Sequence, residues 1–267
     1  MLRSLFTAIS GLGAHQKMLD VTANNIANVN TTGFKTSSTV FEDTLSQTLQ
    51  GGGAASATSG GTNAIQVGLG VRLAGTALNF TQGSSQATGV TSNMLINGDG
   101  FFVVSKNGQQ QFTRAGNFAL DSAGNLVTPD GAIAEDVNGA PIQLPGLING
   151  TYVSWSIDSS GNINAVNAAG ATTTLAQVGI ATFANPNGLM KVGDTSFAAS
   201  PASGVAQIGA PNSGSRGSIT SGYVEMSNVD LSQELTNLII AERGFQANSK
   251  VITTSDEVLQ TLVNLKN

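Results

Sequence analysis

The chain contains no cysteine, which removes disulfides, thiolate metal sites and cysteine nucleophiles together. Histidine occurs once, as His15, so zinc sites built from several His or Cys ligands are excluded as well. Charge is scarce: Asp, Glu, Lys and Arg make up 10% of the 267 residues, against about 25% in an average soluble protein. The net charge of −5 comes with no basic run, which argues against nucleic acid as a partner. One tryptophan and two tyrosines are too few for the aromatic platforms of a carbohydrate-binding module. No run approaches the roughly 18 apolar residues of a membrane-spanning helix. The opening Met1-Leu2-Arg3-Ser4-Leu5-Phe6-Thr7 is interrupted by polar residues and lacks the unbroken apolar core of about 7–15 residues that a secretory signal needs. The expectation is a chain that is cytoplasmic or exported with its amino end uncleaved.

Proline is missing from both ends. All six prolines lie between Pro129 and Pro211, and most glycines also fall in the middle, so helix breakers are confined to the interior. At the amino end Leu5, Leu12, Leu19 and Ile26 recur every seven residues, with Leu2, Ile9 and Ala23 three residues before members of that series. At the carboxyl end Leu231, Leu238, Phe245, Ile252 and Leu259 repeat the spacing, flanked by Leu235 and Val263. Such a/d patterns predict helices that pair with other helices. Gly11 and Gly13 weaken the first by about 1 kcal/mol each relative to Ala. Asp230 followed by Gln233 reads as the cap that starts the second. The complementary positions carry Gln16, Glu242, Ser249 and Asp256, too polar for a dry two-stranded coil, so the seam is expected to be partly open or to face other chains.

Between the ends, alternating Val67, Leu69, Val71, Leu73 and Val153, Trp155, Ile157 predict strands. Turn signals separate the runs, among them Asn97-Gly98, Asn107-Gly108, Gly124-Asn125, Asp130-Gly131, Asn138-Gly139, Gly161-Asn162 and Asn187-Gly188, and Asn-Gly and Asp-Gly suit the positive φ angles of type I′ hairpins. The Gly/Ala/Ser/Thr stretch from Gln50 to Thr62 reads as a flexible linker. The expected fold is α+β: terminal helices over 1–33 and 225–267 in a coiled-coil-like domain, a linker region over 34–70, and a central antiparallel all-β domain over 71–224.

No catalytic constellation emerges. His15 lies within a helical pattern, where a seam or surface role outweighs catalysis. Gly33-Phe34-Lys35-Thr36 resembles the tail of a phosphate loop without its upstream glycine. Asp121 to Asp130 has a calcium-loop flavour but lacks the ligand spacing and closing Glu, so turn chemistry explains it better. Neither a cofactor nor a metal is expected.

Ala23-Asn24-Asn25-Ile26-Ala27-Asn28-Val29-Asn30-Thr31-Thr32-Gly33-Phe34-Lys35 closely resembles the amino-terminal signature of flagellar hook and rod proteins. Gly222-Tyr223-Val224-Glu225-Met226-Ser227-Asn228-Val229-Asp230-Leu231 and Ala241-Glu242-Arg243-Gly244-Phe245-Gln246-Ala247-Asn248-Ser249-Lys250 resemble the family's carboxyl-terminal helix and its approach. Asn97-Gly98-Asp99-Gly100-Phe101-Phe102 and Phe112-Thr113-Arg114-Ala115-Gly116-Asn117-Phe118 resemble motifs of its β domain. The resemblance implies a homopolymer whose terminal helices form the inner tube of a hollow filament. It also implies unfolded export through the flagellar type III apparatus, with neighbouring rod, hook-junction and hook-cap proteins as partners. Within the family the ending Thr253 to Asn267 is more similar to hook subunits, whereas the length leaves no room for a further outer domain. The expectation is a compact hook subunit, with a distal rod subunit as the alternative. Leu5, Ile9, Leu12, Leu19, Ile26, Leu231, Leu235, Leu238, Phe245, Ile252 and Leu259 are the expected subunit contacts, with Asn24, Asn25 and Asn28 stopping the helix and bridging chains. Gly33 is the expected left-handed stop, with Phe34 behind it.

Overall fold

A computed structural model describes residues 2–55 and 60–265. Met1 and Lys266–Asn267, at the ends of the expected helical domain, lie outside the described residues, as does the middle of the expected linker, 56–59. The chain opens with α1 (Leu2–Ala27), then β1 (Ser37–Asp43), β2 (Ser46–Gln50), β3 (Ile65–Gly68) and β4 (Val71–Leu78). Strands β5 (Ser85–Ala87), β6 (Met94–Asn97), β7 (Phe101–Lys106), β8 (Gln109–Thr113), β9 (Ala119–Leu120), β10 (Leu126–Val127) and β11 (Ile133–Ala134) follow, then the one-turn α2 (Pro145–Ile148). The chain continues through β12 (Tyr152–Ile157), β13 (Asn162–Asn167), β14 (Thr172–Gln177), β15 (Ile180–Thr182), β16 (Met190–Gly193), β17 (Ser196–Ala198), β18 (Gln207–Gly209), β19 (Ser218–Ser221) and β20 (Tyr223–Glu225). The long α3 (Leu231–Asn264) closes it. The fold is α+β, with every strand pair antiparallel.

Two compact units divide the chain: residues 1–27, 37–78 and 230–267 form one, and residues 28–36 and 79–229 the other. The helical unit is richer than the sequence implies. Segment 34–70 holds three strands, and β4 stands in the helical unit because it pairs with β1, Ser37 opposite Leu78 and Asp43 opposite Val71. β2 and β3 extend the same two-stranded ribbon, and Gly53 and Thr62 exchange both backbone hydrogen bonds at 2.9 and 3.0 Å. Most of the expected linker is thus the end of a hairpin. Backbone pairing supplies the order there, which a composition of Gly, Ala, Ser and Thr does not reveal.

In the β unit, the apolar run Phe101-Phe102-Val103-Val104 forms β7, all four residues buried, as a strand covered on both faces must be. Phe102 and Val104 enter a core with Met94, Ile96, Phe118, Leu126, Ile163 and Ile180. Phe101, from the opposite side of the strand, packs edge-on against Phe80, Phe183 and Phe197. Four turns repeat one device. In each, the Oδ1 of Asp121, Asp136, Asp158 or Asn167 accepts the N–H groups two and four residues on. The glycine between those donors takes φ of 74 to 86°. These are Asx turns and not type I′ hairpins. Asn107-Gly108, at φ 54 and 76°, is the expected two-residue hairpin joining β7 to β8.

Candidate assembly surface

α1 and α3 pack along their lengths, and the residues that meet are mostly small or polar. Asn25 Nδ2 donates to Glu234 Oε1 at 3.1 Å. His15 lies over Gly244, and Asn248 lies against Gly11, where an added Cβ would come within 2.7 Å of Asn248 Oδ1. Each helix therefore accepts a polar side chain over a glycine of the other, an approach that a Cβ at either position would obstruct. The covered residues of α3 follow a heptad: Glu234, Leu238, Ala241, Phe245, Asn248, Ile252, Ser255 and Leu259. On α1, Leu5, Ala8, Leu12, His15, Leu19, Thr22 and Ile26 do the same.

Apart from Leu231, which is exposed, the sevenfold series is placed inward, with Leu5, Leu12, Leu19, Ile26, Leu238, Phe245, Ile252 and Leu259 all half-buried. The second row differs from the expected one. It lies three residues after each member of the series, so Ile9, Ala23, Gln16, Glu242 and Asp256 are exposed and only Ser249 is half-covered. Sequence spacing alone treats a neighbour at three before as equivalent to one at three after; packing selects the row bearing Ala8, Ala241 and the polar pair. α1 also packs against the β1–β4 ribbon, where Val71 N donates to Ser10 Oγ at 3.3 Å and Phe41 approaches the His15 ring at 6.2 Å.

α3 begins at its cap as expected. Asp230 Oδ1 accepts from Ser232 N at 2.8 Å and Gln233 N at 3.2 Å. Gln233 does not complete the reciprocal half, since its Nε2 bonds Asn237. Outward apolar residues remain after the pairing: Phe6 and Ile9 on α1, and Leu231, Leu235, Ile239, Ile240, Val251, Val258, Leu262, Val263 and Leu265 towards the carboxyl end.

The Asn-rich signature is wired within the chain. Asn25, 2% exposed, donates from Nδ2 to Ser37 O at 2.8 Å and accepts from Ser37 N at 3.1 Å, holding α1, the start of β1 and α3 together. Asn24 is exposed and Asn28 half-buried, the latter beginning the excursion into the β unit. Helix α1 stops at Ala27, six residues before Gly33, so Gly33 is not the helix stop. It is left-handed, with φ 69°, because it packs where a Cβ would overlap the Ala115 backbone, and its N–H donates to Glu225 O at 2.7 Å. Phe34 is buried beneath the Lys191 ammonium, 4.8 Å from the ring centre.

Lys35 is no phosphate ligand. Its fully buried Nζ donates to Glu225 Oε1 at 2.6 Å and to Thr81 O at 2.7 Å. Glu225 also accepts from Gly83 N at 2.9 Å, and its Oε2 accepts from Arg114 Nη1 at 3.3 Å. Burial pulls the Lys35 ammonium below the ordinary lysine value and the Arg114 guanidinium below the ordinary arginine value; Glu225 opposes both shifts. Sequence reasoning placed none of Glu225, Arg114 and Glu234 among the functional residues. The available signal was their setting: in so weakly charged a chain, Lys35, Arg114 and Glu225 each stand inside an aromatic or apolar motif, which is where a buried ionic cluster is placed.

Among the described residues no group of His, Cys, Asp or Glu is arranged to hold a metal ion, and no helix is long and apolar enough to cross a membrane. What this architecture defines is a structural subunit, with long terminal helices leaving apolar surface uncovered. Three family models match: flagella basal body rod protein over residues 5–35, the D1 domain of flagellar hook protein FlgE/F/G over 95–165, and the FlgEFG basal body rod carboxyl-terminal region over 220–265. The chain is 49% identical over 267 residues to the flagellar basal-body rod protein FlgG of Bacillus subtilis, with all of both chains covered. It is 36% identical over 273 residues to FlgG of Borreliella burgdorferi, covering 100% of this chain and 99% of the relative. The flagellar hook protein FlgE of Borreliella burgdorferi is 27% identical over 443 aligned positions, with all of both chains covered. The chain belongs to the flagellar hook and basal-body rod family of structural proteins, and it is not an enzyme. Against the expectation of a hook subunit, the likeness is stronger to the rod relatives.

Proposed function

We propose that this protein is the distal rod subunit of the bacterial flagellar basal body, a drive-shaft component that polymerises through its terminal helices. The observation that carries this reading is the full-length likeness to a rod protein with no insertion, whereas alignment to the hook relative spreads 267 residues over 443 positions. The sequence feature that favoured the hook, the ending from Thr253, lies in the terminal helix that the rod and hook models share.

The assembly mechanism follows from the helical unit. α1 and α3 bury their inner rows in one another and leave outward apolar residues on both helices. Burying such residues against further copies releases about 25 cal/mol per Å² of apolar surface, and contacts that do not close on themselves generate a filament. Export in an unfolded state, with α1 and α3 pairing on one another before the outward residues dock, completes the proposal; the marginal stability expected of lone helices supports it.

Electron cryo-tomography of cells carrying a tagged copy tests the placement. Label on the straight segment beneath the outermost ring is the expected result, and label on the curved segment outside the cell overturns the rod reading. Purified chains lacking residues 1–27 and 230–267 should stay monomeric under conditions in which intact chains associate. Equal association by both would remove the terminal helices from the mechanism.

A further inference from the structure

Five Asn-Gly pairs occur in the chain: Asn97-Gly98, Asn107-Gly108, Asn138-Gly139, Asn149-Gly150 and Asn187-Gly188. Such a pair is chemically labile, because glycine puts no side chain between its own nitrogen and the carboxamide of the preceding asparagine. All five asparagines are exposed. What separates them is whether the glycine nitrogen is available to attack. At three pairs it is engaged. Gly98 N donates to Gln82 Oε1 at 3.2 Å, Gly139 N to Asp136 O at 3.1 Å and Gly188 N to Asn185 O at 3.1 Å. Two of these asparagines are held as well, Asn97 by pairing with Ser218 and Asn138 by donating its N–H to Asp136 Oδ1.

Among the described residues, Gly108 N and Gly150 N have no acceptor. Nothing lies within 4 Å of the place a Cβ would take on either glycine. Ring closure also demands rotation of the asparagine ψ, and the two sites resist it unequally. Asn107 turns β7 into β8, so rotation there pulls against the paired Lys106 and Gln109 and the ladder behind them. Asn149, at ψ 3°, ends the one-turn α2, which contains no buried residue. Rotation there gives up the bonds of the turn itself, Asn149 N to Pro145 O at 3.1 Å and Thr151 N to Gly146 O at 3.0 Å.

We propose that Asn149 is a site of spontaneous self-modification, the first asparagine of the folded protein to convert to aspartate and isoaspartate. Gly150 N loses its proton to hydroxide and attacks the side-chain carbonyl carbon of Asn149. A C–N bond forms, the bond to Nδ2 breaks, and ammonia leaves with a proton taken from water. Water then opens the cyclic imide at either carbonyl, giving aspartate or an isoaspartate whose main chain is one carbon longer. Either product places a new negative charge between α2 and β12, in a chain where charge is scarce.

The test holds the full-length chain in mildly alkaline buffer, beside a second sample unfolded in guanidinium. Both are sampled over time and digested, and mass spectrometry maps aspartate and isoaspartate at each of the pairs. The folded chain is expected to convert Asn149 first and Asn107 more slowly, with Asn97, Asn138 and Asn187 protected relative to the unfolded sample. Asn149→Gln should remove the first product and leave the rate at Asn107 unchanged. Earlier conversion of Asn107, or of any pair whose glycine nitrogen is hydrogen-bonded, overturns the assignment. Equal relative rates in the folded and unfolded samples overturn it too, since the selectivity would then belong to the sequence and not to the fold.

Discussion

Lys35 Nζ and Glu225 Oε1 stand 2.6 Å apart with both side chains fully buried, and Arg114 reaches the other oxygen of the same carboxylate. Glu225 is thus the anion shared by two buried cations. Glu225→Gln should destabilise the β unit by about 3–5 kcal/mol, the usual cost of stranding a buried partner. Lys35→Met should cost less, because Arg114 and Gly83 still satisfy the carboxylate. Urea unfolding followed by Trp155 fluorescence reads the order, and a larger loss for Lys35→Met would refute the shared-anion account.

Gly33→Ala should be among the most damaging single changes in the signature. The left-handed backbone costs about 1 kcal/mol for a residue with a Cβ, and the methyl would meet Ala115 backbone, which has no side-chain freedom to yield. A total loss above about 2 kcal/mol is expected in the same unfolding measurement. Gly108→Ala, also left-handed but with open space around its position, should show only the conformational part.

Asn25→Ala removes hydrogen bonds to both backbone groups of Ser37 and to Glu234 in a buried setting. A loss of about 1–3 kcal/mol is expected, typical of leaving buried polar groups unsatisfied. Faster amide hydrogen exchange at Ser37 would locate it. Unchanged protection at Ser37 would contradict the wiring described.

Ala241 is fully buried on α3, whereas Glu242, its neighbour, is exposed. Ala241→Leu should wedge the helices apart at a cost of about 1–3 kcal/mol, with Glu242→Leu near neutral for the fold of one chain. Circular dichroism during thermal unfolding separates the two, and the reverse ranking would restore the row inferred from spacing.

Acid should weaken the β unit through its Asx turns. Hydrogen bonds from the Asn125 side chain and backbone hold Asp121 below the usual carboxylate range. At Asp158 burial acts upward, but the bonds from Asn162 and Ser160 outweigh it and the net shift is downward. A folded-state pKa below the unfolded value of about 3.9 contributes stability that is present above that value and lost as pH falls through the folded one. Replacing both with Asn, the residue that performs the same bonding at Asn167, should flatten the decline in urea midpoint below about pH 4. An unchanged slope would exclude these turns as its source.

Several features were legible because the pattern that encodes them is local. The terminal helices, the cap at Asp230 and the Asn107-Gly108 hairpin each follow from residues close in the chain. The alternation from Val67 to Leu73 was legible, but the pairing of the ribbon was not, because the small residues around Gly53 and Thr62 carry no periodic signal. The Asp194-Thr195 turn was equally hidden: both take φ above 50° without being glycine, held between β16 and β17.

The sequence by itself determined that this is a helix-ended, strand-centred structural protein, since missing cysteine, sparse charge, confined proline and sevenfold leucines are properties of the chain alone. Which row of each helix turns inward, and that Asn25, Gly33 and Lys35 serve contacts inside one molecule, only the tertiary structure decided. Helical spacing repeats every few residues in both directions, whereas the choice between equivalent rows depends on small side chains meeting partners more than two hundred residues away.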